Sequence, residues 1–277
     1  MIKIMKSRTT ALMTLLLSAF ALFAALKGLF NQSVYNDAIS TGAFLKELII
    51  GTFSQDLISV PAAATLAILS IIYLIKKGEK TFIAILGLTG YFLYSYGLFV
   101  TGGSYTVLYP VYMIIFILSL YSLIYGLTSF ESSELIKYQL PYALRLSMGI
   151  FFIIIILIFS PLWLSQLIPS ALKNIRPNFY SVFVFDLCLV MPTLGIIAIQ
   201  LFRNKPFGNI LAGIALIKIV TLILSVTIGE LCAPLYGTAA NYGIIPIYGS
   251  ITIISLIFGV LYTLKFKKKN LIMDGEK

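Results

Sequence analysis

Long apolar segments alternate with short polar ones along the whole chain. An α-helix needs about 20 consecutive apolar residues to cross the hydrocarbon core of a bilayer. Eight segments reach that length or come close to it, and they cover residues 10–30, 56–75, 81–100, 105–127, 146–166, 181–202, 207–228 and 246–264. The pattern predicts an all-α fold, a polytopic transmembrane helical bundle of eight spans that forms a single transmembrane domain over residues 1–277.

The apolar segments favour helices over the strands of a barrel. Backbone polar groups in hydrocarbon must be satisfied within the protein, so spans are helices or belong to a closed barrel. Barrel strands alternate apolar and polar residues, whereas these segments are continuously apolar. Residues 31–55 form a longer mixed stretch with an amphipathic part at 44–50. We expect this stretch to lie at the outer interface or to fold back into the bundle.

The distribution of charge predicts the orientation in the membrane. The chain is 60% hydrophobic and 11% charged, against about 25% charged residues in soluble domains. With the N-terminus inside, fifteen of the 20 basic residues fall on the inner face and four on the outer face. By the positive-inside rule, both termini are cytoplasmic and the chain lies in the cell membrane. The same rule explains the net charge of +10, so no nucleic-acid partner is expected.

The residue types that the chain lacks exclude several kinds of metal site and catalytic site. The chain has no histidine, which excludes imidazole zinc sites, His-ligated haem and Ser-His or Cys-His catalysis. The two cysteines, Cys188 and Cys232, do not have a metal-binding spacing. Their positions allow a disulfide, but two separate thiols is the simpler interpretation. We expect no cofactor, and enzymatic activity is not favoured.

The two halves of the chain resemble one another. Span 2 opens with Asp56 and carries an early proline, and span 6 opens with Asp186 in the same way. The last span of each half carries Pro-x-Tyr near its start, and these motifs contain Tyr112 and Tyr248. Four spans per half is an even number, so the copies have the same orientation. We predict a parallel 4+4 internal repeat with halves at 10–127 and 146–264.

The basic N-terminus followed by an apolar segment is also typical of a cleaved signal peptide. In a 4+4 repeat, span 1 is the counterpart of span 5. The repeat therefore favours a first span that is retained in the protein.

Lys218 is the most informative single residue because it lies midway along span 7. A charge at mid-span costs ~2.5 to 3.5 kcal/mol on insertion scales, and such residues usually face a partner or water. From the basic turn at 203–206, the helix rise places Asp186 about 25 Å outward on span 6 and Lys218 about 20 Å outward. The two charges are therefore expected to meet. They form either a polar cavity that binds an ion or an anionic group, or a structural ion pair that joins the two spans.

Four other residues complete the set of candidates. Asp56 has no lysine opposite it, and we interpret it as the cap of a helix N-terminus; an outer cavity shared with Asp186 is the alternative. Glu230, at the outer end of span 7, is placed to join either network. Tyr112 and Tyr248 belong to aromatic stripes that are typical of an interfacial belt and bundle core, with a ligand surface as the alternative.

One group of proteins shares a pattern with the second half. The pattern consists of Asp186-Leu187 followed by Pro192, a basic turn, the motif P-F-G-x-x-L-A-G from Pro206, and then Lys218. In these residues the chain resembles a group of uncharacterised bacterial eight-span integral membrane proteins. The resemblance covers mainly residues 182–225 and the start of span 4. It implies a fold family and no activity.

These features of the sequence are compatible with three functions. The repeat, the early prolines and the buried charges favour a small-solute or ion transporter. The alternative is a non-transporting anchor, assembly partner or sensor subunit whose charges are structural. An intramembrane enzyme acting on lipids is least favoured, because histidine and clustered acidic pairs are lacking. The expected partners are the lipid bilayer and either a small solute or ion or another membrane protein.

Overall fold

A computed structural model describes residues 4–31, 33–131, 138–236 and 239–268. Within these residues the chain is a bundle of eight long apolar helices. Each is long and apolar enough to cross a membrane, which confirms the helical bundle and a multi-pass membrane protein. The helices are span 1 (Ile4–Phe30), span 2 (Ile49–Lys76), span 3 (Glu79–Gly102), span 4 (Tyr109–Leu127), span 5 (Tyr142–Leu172), span 6 (Tyr180–Phe202), span 7 (Pro206–Cys232) and span 8 (Ile245–Lys265).

Shorter elements join the spans. A helix at Ser33–Ser40 and one 3-10 turn at Lys46–Leu48 precede span 2. The helix buries Val34, Tyr35 and Ala38, so this connection folds back into the bundle, one of the two expected placements. A 3-10 turn at Ala233–Tyr236 follows span 7. Two strands of two residues pair in antiparallel fashion, Tyr138–Gln139 between spans 4 and 5 and Lys267–Lys268 after span 8.

Span 2 begins earlier than its apolar segment predicts. Its helix starts at Ile49, and the turns that precede Asp56 already contribute Thr52, Ser54 and Gln55 to the buried face. Asp56 therefore lies about two turns inside the helix. The prediction that Asp56 caps a helix N-terminus is wrong, since the first turn is formed by residues that precede it.

Span 6 changes its helical pitch close to Asp186. Residues Asp186–Val190 form a π-helix between two α-helical segments, and the backbone N–H of Met191 donates to the carbonyl of Asp186. Pro192 follows directly; it has no N–H to donate, and its ring would clash with the carbonyl four residues earlier. A wider π turn before the proline avoids that clash. Such turns are rare and are found disproportionately at functional sites.

Spans 3 and 7 pack against each other at the centre of the bundle. Their backbones approach at Gly87, where a Cβ atom would lie 2.6 Å from the Ile217 Cβ atom and 3.0 Å from the Ile214 carbonyl oxygen. Span 3 also packs against spans 2, 4 and 6, and span 7 against spans 2, 6 and 8. Spans 1 and 4 pack closely, whereas spans 5 and 8 touch over a shorter length. The second half is therefore more open than the first.

Candidate functional site

A cavity of about 660 Å³ lies between spans 2, 3, 5, 6, 7 and 8. Its volume is within the range of about 300 to 1,000 Å³ that is usual for small-molecule pockets. The lining includes Lys218, midway along span 7, and reaches the loops at Glu47, Ser104, Asn178 and Asn241. These loops all follow odd-numbered spans, so they lie at one face of the bundle. The lining includes no residue of the basic turns at the other face.

Lys218 extends its side chain across span 3. A Cβ atom on Gly90 would lie 3.6 Å from the Lys218 Cγ atom, so the aliphatic stem passes span 3 at an ordinary van der Waals distance. The ammonium group lies 4.4 Å from the centre of the Tyr94 ring, in a cation–π contact. It forms no direct salt bridge with any carboxylate of the residues that the structure describes. The ammonium group of Lys218 therefore faces the cavity and can donate hydrogen bonds to a solute there.

Asp186 lies buried on the same cavity, at the start of the π-helix. Its carboxylate accepts a hydrogen bond of 2.8 Å from the indole Nε1 of Trp163. The hydroxyl of Tyr94 also interacts with this carboxylate. Asp186 and Lys218 lie close enough for each charge to influence the other, but their nitrogen and oxygen atoms are not within the 4.0 Å of a salt bridge. The structure thus brings the two predicted residues into one cavity, but the direct ion pair between them is not formed.

Tyr94 and Trp163 are site residues that the sequence did not indicate. The Tyr94 ring faces the ammonium group of Lys218, and its hydroxyl interacts with Asp186. Trp163 comes from span 5 and is the only tryptophan of the chain. Aromatic residues are common in apolar spans, so neither stands out from its neighbours. Their only distinguishing feature is the phenol O–H or indole N–H group, which usually finds a hydrogen-bond partner when it is buried.

Glu230 and Tyr248 also line the cavity. Glu230 lies toward its mouth, where its carboxylate accepts a hydrogen bond of 3.3 Å from the backbone N–H of Asn241. Tyr248 is buried, and its ring stacks on Phe159 with centroids 6.1 Å apart. A further polar group on the lining is Gln55, whose Nε2 atom is buried without a hydrogen-bond partner among the described residues.

Asp56 and Tyr112 form a separate cluster in the first half. Asp56 is 1% exposed and accepts a hydrogen bond from the hydroxyl of Tyr35. Burial raises the pKa of Tyr35 far above its usual value, and the nearby Asp56 carboxylate adds to this. The phenol therefore stays protonated and keeps its role as donor. Tyr112 lies beside this pair and accepts a hydrogen bond of 3.3 Å from Thr106.

Span 1 closes this cluster at Gly28, where a Cβ atom would collide with the Asp56 carboxylate and the Tyr35 hydroxyl. Neither Asp56 nor Tyr112 lines the cavity. The six candidate residues therefore fall into two places, with Lys218, Asp186, Glu230 and Tyr248 at the cavity.

Tyr35→Phe is expected to lower the free energy of unfolding by about 1 to 3 kcal/mol, because the buried carboxyl of Asp56 loses a hydrogen-bond donor. The measurement is thermal unfolding of the purified protein in detergent. Tyr242→Phe is the matched control, since Tyr242 is 76% exposed in a loop. Equal unfolding midpoints for the two variants would show that the hydrogen bond contributes nothing.

Both cysteines are free thiols, with Cys188 exposed and Cys232 partly buried. In the described part of the chain, no group of three or more His, Cys, Asp and Glu residues is arranged to hold a metal ion. The site is thus built from two opposite charges, aromatic rings and amide or hydroxyl groups. No family model matches the chain, and no curated protein or solved structure matches it either.

Proposed function

We propose that the chain is a solute-binding multi-pass membrane protein, a small-solute or ion transporter, with its polar site around Lys218 and Asp186. The observation that carries the proposal is the ammonium group of Lys218, which faces a cavity of about 660 Å³ without a direct carboxylate partner among the described residues. A charge placed inside a membrane span is costly and usually serves a substrate or ion pathway. A structural ion pair would instead be expected to close the gap between its two charges.

The parallel 4+4 repeat is part of this proposal, and the packing of the spans supports it. Spans 1–2, 1–4 and 3–4 are neighbours, and so are spans 5–6, 5–8 and 7–8. Span 7 packs against span 2, and span 3 packs against span 6. In each half, the Pro-x-Tyr tyrosine lies close enough to an aspartate for the two to interact, Tyr112 with Asp56 and Tyr248 with Asp186. We propose 10–127 and 146–264 as the two copies.

The two proposed copies differ in the surroundings of their aspartates. In the first half, Tyr35 from the helix between spans 1 and 2 donates to Asp56, and the aspartate is sealed. In the second half, spans 5 and 6 are joined by the short segment 173–179, and Asp186 lies on the cavity. We propose that the aspartate site of the first half is closed and that of the second half is open, while spans 2 and 3 still contribute Gln55 and Tyr94 to the cavity lining.

The orientation follows from the basic residues. The turns at 76–80 and 203–206 lie at the face opposite the loops that line the cavity. By the positive-inside rule the basic face is cytoplasmic, with both termini on that side. We propose that the chain lies in the cell membrane and that the cavity receives its solute from the outer side.

A non-transporting anchor, assembly partner or sensor subunit is the second candidate. One observation favours it. Asp186 receives a hydrogen bond from Trp163, and Lys218 lies against the ring of Tyr94. Both charges thus have neutral aromatic neighbours, as in a site that only holds the helices together. In that case no solute would need to enter the cavity.

Thiol labelling separates the two candidates. With Cys188 and Cys232 replaced by alanine, Ser225→Cys places a thiol on the cavity lining of span 7. We expect a membrane-impermeant methanethiosulfonate reagent to label this variant. Ile214→Cys is the matched control, a buried position on the same helix outside the lining, and it should remain unlabelled. If Ser225→Cys is as unreactive as Ile214→Cys, the cavity does not admit solutes and the anchor is favoured.

A further inference from the structure

We infer that the solute is a zwitterion whose anionic group pairs with Lys218 and whose ammonium group pairs with Asp186. This inference rests on the proposed solute-binding function and names the chemistry of the solute. It is drawn from the separation of the two charges, the acidic mouth of the cavity and its aromatic wall.

The two deep charges lie in one cavity and interact without forming a salt bridge. A solute that carries both charges can place its anionic group at Lys218 and its ammonium group at Asp186. It then compensates each charge directly. Buried charges are stable only when paired and hydrogen-bonded. A solute with one charge would pair with one residue and be repelled by the other.

The mouth of the cavity disfavours simple anions. Glu47 and Glu230 line it near the loops, and among the described lining residues Lys218 is the only cationic one. Lys218 and Glu230 are separated by about 18 Å of helix, which is too long for one small zwitterion to bridge. The mouth carboxylates therefore lie outside the pairing site. Charges of one sign at a cleft repel like charge, so the mouth excludes simple anions, whereas a zwitterion without net charge is not repelled.

The wall beside Asp186 is aromatic and selects the body of the solute. It is lined by Phe159, Trp163, Phe183 and Tyr248. Aromatic pairs add to the energy of apolar burial when they stack offset or edge to face. The combination of charges and wall fits an amino acid with an aromatic side chain. The ethanolamine phosphate headgroup of a phospholipid carries the same pair of charges, so the two sources are tested separately.

Trp163 supplies the measurement, because intrinsic tryptophan fluorescence of this chain comes from that residue alone. The full chain in detergent is titrated with phenylalanine, phenethylamine and 3-phenylpropionate. All three carry a phenyl ring on a short chain, and they differ in whether they carry both charged groups, the ammonium group alone or the carboxylate alone. We expect phenylalanine to change the emission saturably. Phenethylamine and 3-phenylpropionate should each require at least tenfold higher concentration.

Variants assign the charges. Lys218→Met should remove the preference for phenylalanine over phenethylamine, and Asp186→Asn should remove the preference over 3-phenylpropionate. Either variant suffices if the other does not fold. Lys173→Met, at an exposed loop position, should leave all three titrations unchanged. For the lipid source, the protein is placed in nanodiscs of phosphatidylglycerol, whose headgroup is only anionic, with and without phosphatidylethanolamine. A Lys218-dependent change in emission with phosphatidylethanolamine would assign the headgroup.

Equal concentrations for the three soluble probes, with no effect of phosphatidylethanolamine, would overturn the zwitterion. So would the absence of any response to the probes and to this lipid. In both cases, labelling of Ser225→Cys would still support a solute cavity, and the failure would concern the class of solute alone. If Ser225→Cys is also unreactive, the proposed function fails with it.

Discussion

Gly87→Ala is expected to lower the free energy of unfolding by about 1 to 3 kcal/mol, the usual cost of forcing an extra carbon into a packed core. The added Cβ atom would lie 3.0 Å from the carbonyl oxygen of Ile214, which belongs to the backbone of span 7. A backbone atom cannot rotate away as a side chain can, so spans 3 and 7 would have to separate. Thermal unfolding in detergent and the amount of protein in the membrane fraction measure the effect.

Gly90→Ala is the matched control one turn along the same helix. There, a Cβ atom would make ordinary contact with the Lys218 stem, at 3.6 Å from its Cγ atom. Alanine favours helix over glycine by about 1 kcal/mol, so this variant should be at least as stable as the parent. If Gly90→Ala were destabilised as much as Gly87→Ala, the close approach of the two backbones at Gly87 would be wrong.

Lys218→Met is expected to lower both the unfolding midpoint and the abundance in the membrane. Methionine preserves most of the aliphatic stem over Gly90 but removes the charge that opposes Asp186. Breaking a buried ion pair in direct contact costs about 3 to 5 kcal/mol. Since the charges of Lys218 and Asp186 interact without forming a salt bridge, the loss here should be smaller, at about 1 to 3 kcal/mol.

The double variant with Asp186→Asn tests the coupling. Removing both charges leaves neither uncompensated, so the double variant should be less destabilised than the sum of the single variants. Lys173→Met removes one positive charge from an exposed loop and should have no effect. Single-variant effects that add within about 0.5 kcal/mol would show that the two sites are independent. A normal abundance of Lys218→Met beside a reduced abundance of Asp186→Asn would also contradict the coupling.

The spans were predictable because the length of an apolar segment is fixed by the thickness of the bilayer. Their ends were less so. Span 2 starts at Ile49, since the amphipathic stretch before Asp56 continues the helix. The π-helix at Asp186–Val190 was not predictable, because an early proline is compatible with a straight start, a kink or a change of pitch.

The charged residues of the candidate site were predictable because few ionisable residues occur within the spans. Ionisable residues within spans are uncommon and usually face the bundle interior, which singled out Lys218 and Asp186. Tyr94 and Trp163 could not be found in this way, because aromatic residues are frequent in spans. The role of Tyr35 was not predictable for another reason. Its contact with Asp56 depends on a connecting helix that folds back into the bundle. Such a contact is tertiary and leaves no local pattern.

The reactivity of a thiol at position 218 tests the central claim most directly. Lys218→Cys, with Cys188 and Cys232 replaced by alanine, is exposed to an impermeant thiol reagent first in right-side-out and then in inverted membrane vesicles. A water-filled cavity that opens outward predicts labelling in right-side-out vesicles, at a rate well above that of Ile214→Cys in the same membranes. No labelling from either side would contradict it, because position 218 would then be sealed inside a dry structural core.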